Sequence, residues 1–357
     1  MRPLVLLLLI LAVGGRVSLA NGQTVDSCDV SVEVTLNGGY MMPNNSQYSN
    51  FNSATFGTDV TLWWRNYRND YWRWKRGFPS VGLRASYAHI PNSVAGDRFG
   101  LTSLLGGRIG ERWNYSVGLG LSAYTRPRSI TGDTTNIFIG SLINCLIDVG
   151  VTYQPLQDWL LGFRVLHTSN GMLKWPNMGL NYLQFDVGYR FPVKQFNGTI
   201  ITQEPNYPEG FSKREWNVAL SLGTVMSRDR EFSGYYPCYD LSLYYQKNTS
   251  PVFSFGGGLD LWYNGVDRRH ILREEGVYRM PFYLSAIGIM EFHWGHMSLK
   301  TGIGTIILGS FQVTNPIYER VGGYYNFGNN YVGVAMNAHA GRIEFIEWTY
   351  GRRFSIK

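Results

Sequence analysis

Midway along the chain, His167, Ser169 and Asn170 fall in the run His167-Thr168-Ser169-Asn170-Gly171, and Trp175-Pro176-Asn177-Met178-Gly179-Leu180-Asn181 follows closely. An imidazole and a hydroxyl two residues apart are the parts of a base–nucleophile pair. A serine hydroxyl is a weak nucleophile until a hydrogen-bonded base takes its proton. The reaction class that such a pair serves is acyl transfer.

The spacing has meaning only if the backbone is extended. In a strand, side chains alternate between faces, so His167 and Ser169 project the same way with Cα atoms roughly 7 Å apart. Reading back from His167, the residues of that parity are Val165, Phe163, Leu161 and Trp159, while the other face carries Leu166, Arg164, Gly162 and Leu160. A polar pair aimed at an apolar environment predicts chemistry on a lipid. Asn181, which opens the next segment, shares parity with Leu183, Phe185 and Val187, so a hairpin would bring it beside the His–Ser strand on the same apolar face. Asp186 has the opposite parity.

Amphipathic segments of this kind recur from Asp29 to Phe354. Val30, Val32, Val34 and Leu36 alternate with Ser31, Glu33 and Thr35, and Ile143, Cys145, Ile147, Val149 and Val151 alternate with Asn144, Asp148, Gly150 and Thr152. Strict alternation bounded by turn residues is the mark of a half-buried strand. The segments have about the length needed to cross an outer membrane when tilted. Short turns such as Gly110-Glu111-Arg112 and 154–158 alternate with long polar or glycine-rich connections at 125–141, 226–234, 264–279 and 309–330, as barrel loops do. If the turn at 154–158 is periplasmic, the strand at 158–169 rises outward and leaves His167 and Ser169 near the cell exterior. Fifteen segments are visible where single-chain bacterial barrels have an even number, with 65–79 and 192–213 the irregular connections. The expectation is an all-β, antiparallel transmembrane β-barrel of about 14 strands, in a range of 12 to 16, forming one domain over residues 21–357.

Composition agrees. The 357 residues include 24 Tyr, 19 Phe, 11 Trp and 42 Gly. The mean hydropathy of −0.15 is what a barrel gives when lipid-facing and lumen-facing residues alternate. Residues 1–20 read as a signal peptide: Arg2, an apolar run from Leu4 to Val13, and the small-x-small site Ser18-Leu19-Ala20. No later stretch offers about 20 uninterrupted apolar residues, so no transmembrane helix is expected. The net charge of +7 falls to about +5 once Arg2 and Arg16 leave with the signal. A basic exported barrel suits anionic headgroups or phosphates, and nothing resembles a basic helix for nucleic acid.

The motif itself carries a family resemblance. His167-x-Ser169-Asn170-Gly171 followed by Pro176-Asn177-x-Gly179 resembles the signature of the PagL-type lipid A 3-O-deacylases, also called acyloxyacyl hydrolases, over about 167–190. The resemblance implies an outer-membrane serine hydrolase of a Gram-negative bacterium that removes an ester-linked acyl chain from lipid A without a cofactor. It makes His167 the base, Ser169 the nucleophile and Asn170 the oxyanion donor. Where the family pattern has a Glu that orients the His, this chain has Asn181. An Asn can act as the third member, but an amide in place of a carboxylate can also hold the wrong imidazole tautomer. Acyl chains would lie along Trp159, Leu161, Phe163 and Val165, with Lys174 and Arg190 as candidate contacts for the phosphates of lipopolysaccharide.

Two other classes remain open: a passive porin-like channel, marked by a wide polar lumen, and a catalytically silent structural barrel. Elsewhere the residues point to structure rather than chemistry. Cys28, Cys145 and Cys238 are an odd number at unrelated spacings, without disulfide or zinc pattern. His293-Trp294-Gly295-His296 reads as a short turn without nearby acids rather than a metal pair. Arg68, Arg73, Lys75 and Arg76 with Tyr67, Trp72 and Trp74 read as a membrane-interface anchor.

Overall fold

The computed structural model describes residues 27–43, 45–91, 93–171, 173–200, 203–227, 234–309, 316–339 and 342–356. The signal peptide expected at 1–20 lies outside the described residues. Among the described residues, sixteen strands close as two antiparallel barrels of eight.

The first barrel begins with β1 (Cys28–Pro43), β2 (Ser53–Asn66), β3 (Ser80–His89) and β4 (Arg98–Ile109). It continues through β5 (Trp113–Tyr124), β6 (Ile143–Tyr153), β7 (Trp159–Ser169) and β8 (Leu180–Lys194). Each strand pairs with the next, and β8 returns to β1 with Val34 opposite Tyr189. The second barrel comprises β9 (Arg214–Ser227), β10 (Gly234–Ser250), β11 (Phe253–Asn264) and β12 (Phe282–Trp294). Its remaining strands are β13 (Met297–Gly309), β14 (Ile317–Phe327), β15 (Asn330–His339) and β16 (Arg342–Ser355), and β16 closes on β9.

The barrel class is as expected, but the single barrel of about 14 strands is corrected to two of eight. The missing strand is β14, hidden in the stretch 309–330 that reads as a loop. Gly322-Gly323 and the adjacent Glu319-Arg320 interrupt its apolar alternation. The long connection at 192–213 runs from the end of one barrel to the start of the next. That at 65–79 holds a short helix, Tyr71–Lys75, with Tyr71 buried.

Alternation sorts the side chains as the sequence indicates. On β8, Phe185 is 66% exposed on the outward face while Gln184 is fully buried inside. Val60, Leu101, Val149 and Val187 share the outward apolar surface. An eight-stranded barrel is just wide enough for side chains to fill it, and charges fill this one. Arg164 lies among Asp59, Asp148 and Asp186, with Nε donating to Asp186 at 2.6 Å. Arg84 pairs with Asp148 at 2.7 Å. Such charges tolerate burial because several partners satisfy each fork of the guanidinium. In the second barrel, Arg320 sits among Asp240, Asp260 and Glu347, and Arg353 bridges Glu215 and Glu291.

At the loop end of the first barrel the filling turns apolar. Met41, Ile90, Tyr124, Phe138, Ile139, Leu146, Leu166, Leu180 and Tyr182 form a buried cluster joined by Tyr48 and Phe51 from the short helix Ser46–Phe51. The Tyr124 and Tyr182 hydroxyls lie 2.7 Å apart within it. This cluster supports the ends of β6, β7 and β8 from inside.

Candidate active site on the outward wall of the first barrel

β7 and β8 form a hairpin in which Trp159 faces Tyr189, Phe163 faces Phe185 and His167 faces Asn181. The register follows from the apolar pattern, because a slip of one residue would turn every outward side chain inward. His167 and Asn181 therefore emerge together on the outward face. Their contact is direct: His167 Nδ1 lies 2.7 Å from Asn181 Oδ1. An amide oxygen can only accept, so this bond places the proton on Nδ1 and leaves the Nε2 lone pair available as a base.

Ser169 is two residues farther along the same face, opposite Cys145 of β6, and is 7% exposed. Among the described residues no hydrogen bond joins its hydroxyl to His167. The space between them is defined by Gly179. A Cβ placed on that glycine would stand 3.1 Å from His167 Cε1 and 3.4 Å from Ser169 Cβ. The imidazole and the serine thus border one small slot, kept open because residue 179 has no side chain. Gly179 also has φ +75°, a conformation that glycine adopts without steric cost.

The loop between the strands is braced by its own polar groups. The Asn170 backbone N–H donates to Asn177 Oδ1 at 2.8 Å, and Asn170 Nδ2 donates to the Lys174 carbonyl at 2.7 Å. Asn170 thus commits one amide hydrogen to the loop and keeps a second, with its side chain buried. A second brace comes from the 125–142 connection, where Gly179 N–H donates to Phe138 O at 3.2 Å. Gly140 lies so close to the turn that an added Cβ would be 2.3 Å from the Pro176 carbonyl oxygen.

Below the cluster runs the apolar wall. Trp159, Leu161 and Val165 are 49%, 47% and 43% exposed, and Phe163 packs on Phe185 with centroids 5.2 Å apart. Lys174 is exposed in the loop above. Arg190 is a correction. It points into the lumen at the opposite end of β8 and binds Glu33 at 2.7 Å, because it shares parity with Gln184 and Asp186. Asp186 is likewise inside, bound to Arg164. His293 and His296 make separate contacts, with Ser254 Oγ and the Asn326 carbonyl. Among the described residues no group of three or more His, Cys, Asp or Glu is placed to hold a metal ion.

Sequence reasoning missed the functions of Gly179 and Asn177, although both stand in the motif. It also missed the 137–140 segment, whose packing against the turn no local pattern encodes. The signal available was Gly179 itself: a glycine two residues before a strand polar group is a marker of close approach.

Fold and cluster together define a membrane-type antiparallel barrel with a hydroxyl, an imidazole and an amide gathered on its outward apolar wall. Residues 30–190 match the family "Lipid A 3-O-deacylase (PagL)", and residues 214–356 match "Acyloxyacyl hydrolase, C-terminal domain". The resemblance to the PagL-type lipid A deacylases is thereby borne out over 30–190, in the first barrel, and the second barrel carries the C-terminal-domain match. No curated protein matches the chain by sequence. Among solved structures, the outer membrane enzyme PagL aligns at 19% identity and TM-score 0.32, over 45% of this chain and 99% of its own. A TodX monoaromatic hydrocarbon channel mutant aligns at 9% identity and TM-score 0.18, over 93% of this chain and 91% of its own. The translocator domain of autotransporter NalP from Neisseria meningitidis aligns at 7% and 0.19, over 92% and 89%. At such TM-scores the fold rests on the strand pairing itself.

Proposed function

We propose that this protein is an outer-membrane serine esterase of a Gram-negative bacterium that removes an ester-linked acyl chain from lipid A. One observation carries the reading: His167, held by Asn181, and Ser169 border a single slot on the outward face, directly above an apolar wall that can receive acyl chains.

In the reaction, the Ser169 hydroxyl turns into the Gly179 slot and gives its proton to His167 Nε2 as Oγ attacks the ester carbonyl. The second amide hydrogen of Asn170 and neighbouring backbone N–H groups serve the oxyanion. Collapse expels the sugar oxygen, which takes the proton back from Nε2 and leaves an acyl-serine. Water, deprotonated by the same nitrogen, then releases the fatty acid and restores the serine. Asn181 Oδ1 orients the ring and supports its protonated state with a dipole rather than a full charge. Trp159, Leu161, Phe163 and Val165 align the acyl chain, and Lys174 meets a phosphate of the headgroup. The hydroxyl and imidazole are not hydrogen-bonded in the resting arrangement, and such contacts often tighten only with substrate bound.

A silent structural barrel is the second reading, favoured by the amide at position 181 and the open Ser169–His167 contact. A passive channel fits less well with lumens filled by Arg164, Arg320 and their carboxylates. The test is mass spectrometry of lipid A from cells with and without the protein. Loss of one hydroxyacyl chain, with full mass restored by Ser169→Ala, supports the esterase. An unchanged profile beside well-expressed, folded protein supports the silent barrel.

A further inference from the structure

At the end of the first barrel away from His167, the lumen opens into a cavity of about 230 Å³. Its lining includes five cationic side chains: Arg65, Arg84, Arg108, Arg190 and Lys194. Three carboxylates also line it, and each is already engaged. Glu33 receives Arg190 at 2.7 Å and Trp63 Nε1 at 3.2 Å. Asp29 accepts the Phe196 N–H at 2.7 Å and the Tyr67 hydroxyl. Asp158 accepts the Tyr189 hydroxyl at 3.3 Å. Arg84 is paired with Asp148 below.

Arg65 and Arg108 are left over. Among the described residues neither has a carboxylate within ion-pair distance, and Arg65 bonds neutral groups, Nε to Ser80 Oγ at 3.2 Å and the guanidinium to the Tyr67 side chain. The two are held on one side of the cavity by register. Arg65 of β2 is opposite Ser80 of β3, Ser80 is opposite Gly106 of β4, and Arg108 is two residues on with the same inward parity. Ser80 is small, and the Trp63 ring packs over Gly106, within 3.0 Å of where a Cβ would stand, so these positions put no long side chain of their own between the two arginines. Arg108 is also within electrostatic reach of Arg65 and Arg190, as well as of Tyr67 and of Asp29, whose carboxylate is already engaged. Like charges gathered at a concave, partly desolvated surface repel unless an anion lies between them. Planar guanidinium forks suit the oxygens of phosphate.

We propose that this cavity binds a phosphate group, clamped between Arg65 and Arg108. The group is either free phosphate or the phosphodiester of an anionic phospholipid whose headgroup reaches the barrel mouth. The site stands at the opposite end from the esterase cluster and does not depend on that reading.

The experiment uses the full chain in neutral detergent. Inorganic phosphate is titrated against thermal unfolding at constant ionic strength, with chloride as the balancing salt, and phosphatidylglycerol is titrated by native mass spectrometry. Wild type should show a saturable response to at least one probe, weakened about tenfold or more in Arg65→Gln/Arg108→Gln. Saturation by inorganic phosphate supports the free anion, and retention of phosphatidylglycerol alone supports the lipid headgroup. Arg108→Gln alone, at an exposed position, keeps the test available if the double variant fails to fold. Equal responses in wild type and variant, or no saturable response to either probe, overturn the proposal.

Discussion

His167 and Asn181 occupy one rung of the β7–β8 ladder, and the 2.7 Å contact between Nδ1 and Oδ1 fixes the imidazole with its other nitrogen free. The amide supplies orientation without charge. A carboxylate at the same place would add electrostatic support for the imidazolium formed as Ser169 loses its proton, and charge-assisted bonds are roughly twice as strong as neutral ones. Asn181→Glu should therefore raise kcat on lipid A by about tenfold, whereas Asn181→Ala, which frees the ring, should lower it by a similar factor or more. Steady-state release of fatty acid by purified variants in detergent measures both. Rates indifferent to both substitutions would remove residue 181 from the mechanism.

The pairing of these two residues was legible because strand parity and a hairpin suffice to place them. The outward wall of Trp159, Leu161 and Val165 was legible for the same reason. Closure was not: alternation is a local signal, and nothing within β1 or β8 alone states that Val34 will lie opposite Tyr189. One barrel and two therefore look alike strand by strand. The long connection at 192–213 was the visible irregularity, and it proves to join two barrels. β14 escaped because Arg320 and Gly322 face the lumen while Gly323 leaves a gap in the outward apolar stripe. Gly179 escaped because its contribution is empty space, which has no pattern of its own.

Gly179→Ala tests the slot. The new methyl would lie 3.1 Å from His167 Cε1 and 3.4 Å from Ser169 Cβ, on a backbone with φ +75°. Left-handed geometry costs a non-glycine residue about 1 kcal/mol, which a barrel tolerates. The imidazole must give by a few tenths of an ångström, which should lower kcat by about tenfold, short of the hundredfold that a misplacement of about 1 Å costs. The readout is esterase rate beside heat-modifiable migration on gels, which reports the folded barrel. A folded Gly179→Ala protein with wild-type rate would show that the slot plays no part in the reaction.

Arg164 tests what holds the first barrel together. Its side chain is 3% exposed and touches Asp59, Asp148 and Asp186. Removing one partner of a buried ionic network leaves uncompensated charge, at about 3–5 kcal/mol. Arg164→Ala should lower unfolding stability by about that amount in urea titrations of the detergent-solubilised protein. Arg164→Lys, which keeps the charge but loses the fork, should fall between. A loss below about 1 kcal/mol for Arg164→Ala would mean that water replaces the guanidinium inside the barrel.

The loop 90–97 offers a pH-dependent test, because Asp97 anchors it outside the strands. Burial by itself would raise the pKa of Asp97, but the Ile90 N–H at 3.1 Å, the Tyr87 hydroxyl at 2.9 Å and the His89 ring at 2.9 Å outweigh it and hold the carboxyl below its usual range. A depressed folded pKa means stability that is present above the unfolded value, about 3.9, and lost as pH falls through the folded one. The same loop carries Ile90 and Ala95 into the buried cluster beneath the site. Hydrogen exchange at the Ile90 amide, corrected for intrinsic rate, should accelerate below about pH 4 in wild type. In Asp97→Asn it should be faster above that range, where the wild-type carboxylate is ionised, and lose that step. Equal protection of Ile90 in wild type and Asp97→Asn at neutral pH would show that the carboxylate does not hold the loop.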